Sequence, residues 1–246
     1  MNNDKKRSIL ITNDDGISSD GIARLAAAAL KYGEVWVVAP EHQRSAASHS
    51  ITLHTHIDIY PHDFGVPGVH AFSCSGTPGD CVRVGSLNVM PVRPDVVLAG
   101  INYGYNAASD VQYSATCGAA FEAAFQGYPA IAVSEQAKPC HEVADAYLDH
   151  VLEMLIDRPH LPGRILNVNF PGCSLAECRG ILENRTVSAG MFYRDRYNTV
   201  QELPGGGVRL MVEGEYNEEN EDGSDFRALV EGYVSIGTVN NVGWPV

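Results

Sequence analysis

The stretch SILITNDDGIS (Ser8–Ser18) decides how the rest of the chain is read. An apolar run, Ile9-Leu10-Ile11, stops at Thr12-Asn13 and delivers two adjacent carboxylates, Asp14 and Asp15, followed at once by Gly16. A short apolar run ended by polar and glycine residues reads as a buried strand. Successive strand residues point to opposite faces, so the two carboxylates can serve one centre only if the chain leaves extended geometry there. Gly16 supplies that freedom. Two like charges side by side at the end of a buried strand repel each other, and a cation between their oxygens relieves the repulsion. A helix N-cap is the competing use of such acids, but the following helix starts near Asp20, which is the expected cap.

Outward from this doublet the chain alternates strands and helices to about residue 170. Asp20–Tyr32 reads as an alanine-rich helix ended by Gly33, and Glu34–Val38 as a second strand. Ile51–Ile59 alternates apolar and polar residues at the period of a half-buried strand. Thr77-Pro78 reads as an N-cap with proline at the first helical position, opening a helix over Gly79–Leu87. Strands are expected at Val96–Ala99, Ala130–Ser134 and Ile165–Val168, and helices at Cys117–Gln126 and Glu142–Asp157. The fold class is therefore α/β: a Rossmann-like three-layer α/β/α arrangement with a mostly parallel sheet. In such sheets ligands collect at the carboxyl ends of the strands.

Residues 1–246 read as one domain, with an α/β core to residue 170 and a β-rich C-terminal hairpin extension over 171–246. Strand-like Val208–Val212 and Tyr233–Ile236 replace helices in that extension, and the acid-rich Glu213–Asp225 reads as a solvated loop. A formal net charge of −13 argues against binding nucleic-acid polymers through their phosphates. No apolar run reaches the roughly 18 residues of a membrane span, and MNNDKKRSIL lacks a signal-peptide pattern, so no membrane partner is expected and cytoplasmic localisation is. The six cysteines show no CxxC pair and are expected as free thiols.

Two loops at the same sheet edge offer hard oxygen donors, Ser45 in HQRSAASHS and Asn102 in GINYGYN. Oxygen-only ligation with no zinc-like His or Cys spacing favours magnesium, manganese or calcium. Gly100 and Gly104 would let backbone amides approach an anion, and Ser114 and Thr116 precede a helix start, where phosphate is well held. His49 shares a loop with Ser45 and is a candidate substrate contact, whereas His54 and His56 read as the exposed face of a strand.

Taken together, ILITNDDGISSDGI, VVAPEHQRSAASHSIT, SGTPGDCV, PDVVLAGINYGYN, YSATCGAAFEAA, ILNVNFP and EGYVSI resemble the blocks of the survival protein SurE family, in the same order, to about residue 237. The resemblance implies a divalent-metal phosphomonoesterase hydrolysing nucleoside 5′- and 3′-monophosphates, with short polyphosphate as a further substrate in some members. It implies one Mg²⁺ or Mn²⁺ held by Asp14, Asp15, Ser45 and Asn102, with Asp14 and Asp15 as catalytic residues. Asn13, Gly104, Asn106, Ser114, Thr116 and His49 are the expected substrate contacts. A homodimer or homotetramer is implied, built by exchange of C-terminal segments. The chain departs from the family pattern at Ala115 and Cys117, where glycine and valine are usual, and at Gly223-Ser224-Asp225. The rival reading is a receiver-like, Mg²⁺-binding phosphoacceptor with Asp58 as acceptor and Lys138-Pro139 near its last strand. Against it stand the placement of Asp58 inside the Ile51–Ile59 strand and a chain about twice the length of one small domain.

Overall fold

The computed structural model describes residues 6–159, 161–217 and 219–241. A nine-stranded sheet runs in the order β3-β4-β2-β1-β5-β6-β7-β11-β8. Its strands are β1 (Arg7–Thr12), β2 (Gly33–Pro40), β3 (Ile59–Pro61), β4 (Val69–Cys74), β5 (Val96–Tyr103), β6 (Ala130–Glu135), β7 (Arg164–Phe170), β8 (Ile181–Arg185) and β11 (Val234–Asn240). From β4 through β7 all neighbours are parallel; β3 and β11 pair antiparallel with β4 and β7, and β8 runs parallel to β11.

Strand alternation sorts the core into two layers. Ile9 and Ile11 face one side with Val35, Val37 and Leu98, where α1 (Asp20–Ala29) and α5 (Glu142–Leu155) contribute Ile22, Leu25, Val143, Val151 and Leu152. Leu10 faces the other with Val38, Val97 and Ala99, against α2 (Pro78–Val84), the short α3 (Asp110–Tyr113) and α4 (Ala115–Phe125). The small side chains of α4, Ala119, Ala120, Ala123 and Ala124, are buried on this side, which lets the helix lie close to its neighbours. At Gly118 a Cβ would stand 2.5 Å from the Ser48 carbonyl oxygen, so the helix touches the loop after β2 backbone to backbone. Because β1 pairs with β2 on one side and β5 on the other, the strand order reverses at β1. The residues after β1 therefore lie at the switch point of the sheet, the usual ligand crevice of such folds.

Several local expectations are corrected. The strand expected over Ile51–Ile59 is absent; only β3 forms there, beginning at Ile59. The backbone and hydroxyl of Thr52 instead donate to the Asp80 carboxylate, and the Thr77 hydroxyl donates to the Ser50 carbonyl, so this segment wraps the start of α2. Its alternation reflects half-buried Ile51 and Ile57 flanking an exposed stretch that includes His54 and His56. Asp58 is consequently exposed, outside any strand and beside the edge strand β3, which β4 and β2 separate from β1. Thr77 does cap α2, in a reciprocal pair with Asp80, but the helix passes into a π turn at Gly85–Val89. Ser19, not Asp20, occupies the N-cap of α1.

Beyond residue 170, β8 and β11 join the central sheet, and only β9 (Tyr193–Leu203) and β10 (Gly207–Tyr216) form a separate antiparallel hairpin. Asp225 is not part of a solvated loop: it opens α6 (Asp225–Val230), is 3% exposed, and accepts from the Ser188 and Phe226 amides at 2.9 and 2.7 Å. The six cysteines are free thiols. Among the described residues no helix is long and apolar enough to cross a membrane.

Candidate active site

The chain leaves β1 at Thr12 and turns through Gly16, whose φ of 98° lies in the region that side chains avoid. The turn is fastened from within: the Asn13 amide donates to the Gly16 carbonyl (2.9 Å) and to the Ser19 hydroxyl (2.8 Å). It turns Asp14 into the protein, where it is 3% exposed, while Asp15 is half-buried. The Thr116 hydroxyl, fully buried in the first turn of α4, donates to Asp14 Oδ1 at 2.5 Å. Asp15 Oδ2 accepts from the Tyr103 amide at 2.9 Å, and Asp15 Oδ1 from Gln43 Nε2 at 3.2 Å. The same Gln43 nitrogen donates to the Ser45 hydroxyl at 3.0 Å, linking Ser45 to the doublet. Asn102 is 9% exposed and donates Nδ2 to the Gly104 carbonyl at 2.7 Å, which leaves Oδ1 as its acceptor end. Gln43 thus links Asp15 to Ser45, the Tyr103 amide ties Asp15 to the residue after Asn102, and Thr116 holds Asp14.

The electrostatics of this frame are unbalanced. Burial lifts the Asp14 carboxyl to about 6; the Thr116 hydrogen bond pulls it down, and the charge of Asp15 adds to the rise. Among the described residues no Lys, Arg or His forms an ion pair with either aspartate. Asn13 Oδ1 is buried beside the doublet with no hydrogen-bond partner among the described residues. Uncompensated acceptors of this kind are costly, and a small hard cation is the species that relieves all of them at once. Carboxylate, hydroxyl and amide oxygens are the donor set of Mg²⁺ or Mn²⁺, so the residues fit such an ion. The loop carrying Ser45 holds Ala46 and Ser48 at φ of 56° and 53°, the sort of backbone strain found at functional sites.

The expected substrate contacts divide. Ser114 caps α4 by accepting from the Cys117 amide at 2.9 Å, and it lines a cavity of about 210 Å³ together with His49. His49 donates toward Glu122 at 2.9 Å and stacks on Phe125. Glu122 is buried; burial alone would raise its carboxyl, but His49, Gln126 and Arg83 outweigh that and hold it below the usual range. The Thr116 hydroxyl donates to Asp14 Oδ1. The Gly104 amide is taken by the Glu135 carbonyl at 2.9 Å, so it is not offered to an anion as expected. Asn106 is 4% exposed and pinned on every side: its side chain donates to Ser134, its amide to Asn169, and its carbonyl accepts from Asn167 and Asn169. It anchors the loop after β5 to β6 and β7.

Two contributors escaped the sequence reading, Gln43 and the Tyr103 amide. The first sits in a loop where Ser45 drew attention as the hard donor, and the second is a backbone group with no sequence signal at all. A cavity of about 340 Å³ opens beside them, lined by Asp15, Ser19, Asp20, Gly21, Gln43, Ile101, Tyr103, Glu135 and His141.

Comparison with known proteins adds an independent line. Residues 9–191 match the family model described as survival protein SurE. A 5'-nucleotidase SurE of Synechococcus sp. (strain JA-3-3Ab) is 41% identical over 239 residues, covering 93% of this chain and 90% of the relative. A 5'/3'-nucleotidase SurE of Salmonella paratyphi A is 40% identical over 230 residues, covering 93% and 88%. The crystal structure of a SurE protein from Aquifex aeolicus superposes with a TM-score of 0.80 at 30% identity, covering 95% of this chain and 93% of that one. Sequence, fold and relatives agree, and the chain belongs to the survival protein SurE family.

Proposed function

We propose that the chain is a divalent-metal-dependent phosphomonoesterase that hydrolyses nucleoside 5′- and 3′-monophosphates to nucleoside and phosphate. The observation that carries this reading is the Asp14-Asp15 doublet at the switch point of the sheet, with Asp14 buried and no protein cation paired to either acid among the described residues, in a chain whose relatives are named nucleotidases. Asp14, Asp15, Ser45 and Asn102 would hold one Mg²⁺ or Mn²⁺. When bound, such an ion supplies Lewis-acid charge for a phosphoryl oxygen and lowers the pKa of coordinated water.

The chain's own residues divide the remaining work. Thr116 fixes the rotation of the Asp14 carboxylate through Oδ1. Gln43 and the Tyr103 amide fix that of Asp15, the group proposed to orient or deprotonate the attacking water. The N-terminal turn of α4, capped by Ser114, presents the positive end of an eleven-residue helix to the phosphate. Ser114 and His49 are retained as substrate contacts, Asn13 as the acceptor beside the doublet, and Gly104 and Asn106 as the scaffold of the loop that carries Asn102. Ala115, buried at the helix start, sets the shape of that cradle. We further propose a homodimer or homotetramer joined through β9–β10, whose exposed apolar residues include Tyr197, Val200, Leu210, Met211 and Val212, and a cytoplasmic setting.

The reading is tested by phosphate release from nucleoside monophosphates and short polyphosphate with Mn²⁺, Mg²⁺ or EDTA, beside Asp14→Asn. Metal-dependent release that Asp14→Asn abolishes is expected. Full activity in EDTA, or an unimpaired Asp14→Asn enzyme, would end it. The receiver-like alternative is not favoured, since Asp58 lies outside any strand beside edge strand β3, with β4 and β2 between that strand and the one that carries the doublet.

A further inference from the structure

Half of the chain's six cysteines meet at one place. Cys74, Cys81 and Cys117 are buried, whereas Cys140, Cys173 and Cys178 are only partly covered. β6 and β7 are parallel neighbours that end in register at Glu135 and Phe170, so the loops after them leave the sheet side by side. The loops stay in contact: a Cβ added to Gly172 would stand 2.5 Å from the Gln136 Cβ. Farther along, Cys140 Sγ lies 3.5 Å from the Cys173 carbonyl oxygen. Cys178 sits beyond a tight turn, its amide donating to the Ser174 carbonyl at 3.1 Å and its thiol beside Tyr147 of α5. Packing as small hydrophobes accounts for Cys173 and Cys178, which touch the core layer under α5. It does not account for Cys140, which joins no core cluster among the described residues.

We propose that Cys140 and Cys173 form a reversible thiol–disulfide site that fastens the loop after β6 to the loop after β7. A disulfide needs Cα atoms roughly 4–7 Å apart, a span that adjacent parallel strands and the 3.5 Å sulfur-to-carbonyl contact allow. The oxidant is a small-molecule disulfide. The Cys140 thiolate attacks it, forming a mixed disulfide and expelling one small thiol; the Cys173 thiolate then attacks the Cys140 sulfur and expels the other. The two cysteine protons and two electrons end on the two small thiols, and excess thiol reverses both steps. Burial, and next the nearby Cys178, push the Cys173 thiol above its ordinary range, which suits it to the second, intramolecular attack. The fastened segment carries Gln136, on the wall of a cavity of about 270 Å³ together with Cys173, and His141, which bonds Glu135 at 3.0 Å beside the cavity at Asp15. Oxidation thereby stiffens a loop that borders the proposed active site, and the site stands whether or not the phosphatase reading does.

The test equilibrates the full-length protein with glutathione disulfide, alkylates the remaining thiols under denaturing conditions and maps the peptides by mass spectrometry. The reduced protein should alkylate at all six cysteines; after oxidation the two in the link drop out and four remain. Cys140 and Cys173 should be recovered as one linked pair that dithiothreitol releases. Amide hydrogen exchange across residues 136–141 should slow in the linked protein, and Cys140→Ser should leave Cys173 unlinked. Six thiols persisting after oxidation overturn the proposal, as does glutathione held on single cysteines without a link. A link between Cys173 and Cys178, or between Cys74 and Cys81 in place of the proposed pair, also overturns it. Unchanged exchange in the linked protein would remove the fastening. Because the link is mapped in the natural protein, a Cys140→Ser chain that fails to fold does not protect the proposal.

Discussion

Gly118 joins the packing of the protein to its proposed chemistry, and adding one methyl group there tests the link. An alanine Cβ would lie 2.5 Å from the Ser48 oxygen, 2.9 Å from its carbon and 2.8 Å from the His49 Cα. All three are backbone atoms, so no side chain can rotate away; relief requires α4 or the loop after β2 to move by roughly 1 Å to restore ordinary contact. Overpacking of this kind costs about 1–3 kcal/mol. The loop that must yield also carries Ser45, and its Ser48 amide is bonded to the Tyr113 carbonyl at 3.0 Å, so displacement is transmitted rather than absorbed at one residue. Misplacement of a positioned group by about 1 Å lowers a rate by up to about a hundredfold. Gly118→Ala should therefore lower the midpoint of urea unfolding by an amount worth about 1–3 kcal/mol. It should also weaken Mn²⁺ activation measured by phosphate release under native conditions. Gly190→Ala is the control: the nearest atom to its added methyl lies 3.7 Å away, and its effect should stay within about 0.5 kcal/mol. A Gly118→Ala enzyme with unchanged unfolding midpoint and unchanged metal activation would refute the argument that helix and loop meet backbone to backbone.

Other expectations follow from single contacts. Thr116→Val keeps the buried volume and removes the 2.5 Å hydrogen bond to Asp14, so Mn²⁺ affinity by isothermal titration should fall about tenfold or more with little change of fold. Asp80 is buried; burial alone would raise its pKa, but hydrogen bonds from Thr52 and Thr77 outweigh that and hold it below the usual carboxylate range. Its stabilisation is therefore present above the unfolded-state pKa of about 3.9 and lost as pH falls through the lower folded value. Asp80→Asn should cost at least about 2 kcal/mol at pH 7 and flatten the acid limb of a stability-against-pH curve measured by urea unfolding. Val208, Leu210 and Val212 alternate along β10 onto one face. Replacing all three with lysine should convert the proposed oligomer to monomer in light scattering without altering the core's circular dichroism signal.

The α/β class, the positions of most core strands and the adjacent carboxylates Asp14-Asp15 at the end of the first strand were legible in the chain itself. Each rests on local physics: apolar periodicity, an N-cap followed by proline at Thr77-Pro78, and the repulsion of adjacent carboxylates at a strand end. Ile51–Ile59 misled because two half-buried isoleucines around exposed residues imitate a strand, while the hydrogen bonds that hold the segment go to Asp80, more than twenty residues away. Asp225 looked solvated among its acidic neighbours, yet it is buried by amides from segments distant in sequence. Only the tertiary structure decided that Thr116 bonds Asp14, that Gln43 couples Ser45 to Asp15, and that Glu135 keeps one buried oxygen without a partner among the described residues. A sequence displays which donors and acceptors exist, whereas their pairing is settled by which strands become neighbours. Here the reversal of strand order at β1 is what brings residues 14, 43, 103 and 116 to one crevice.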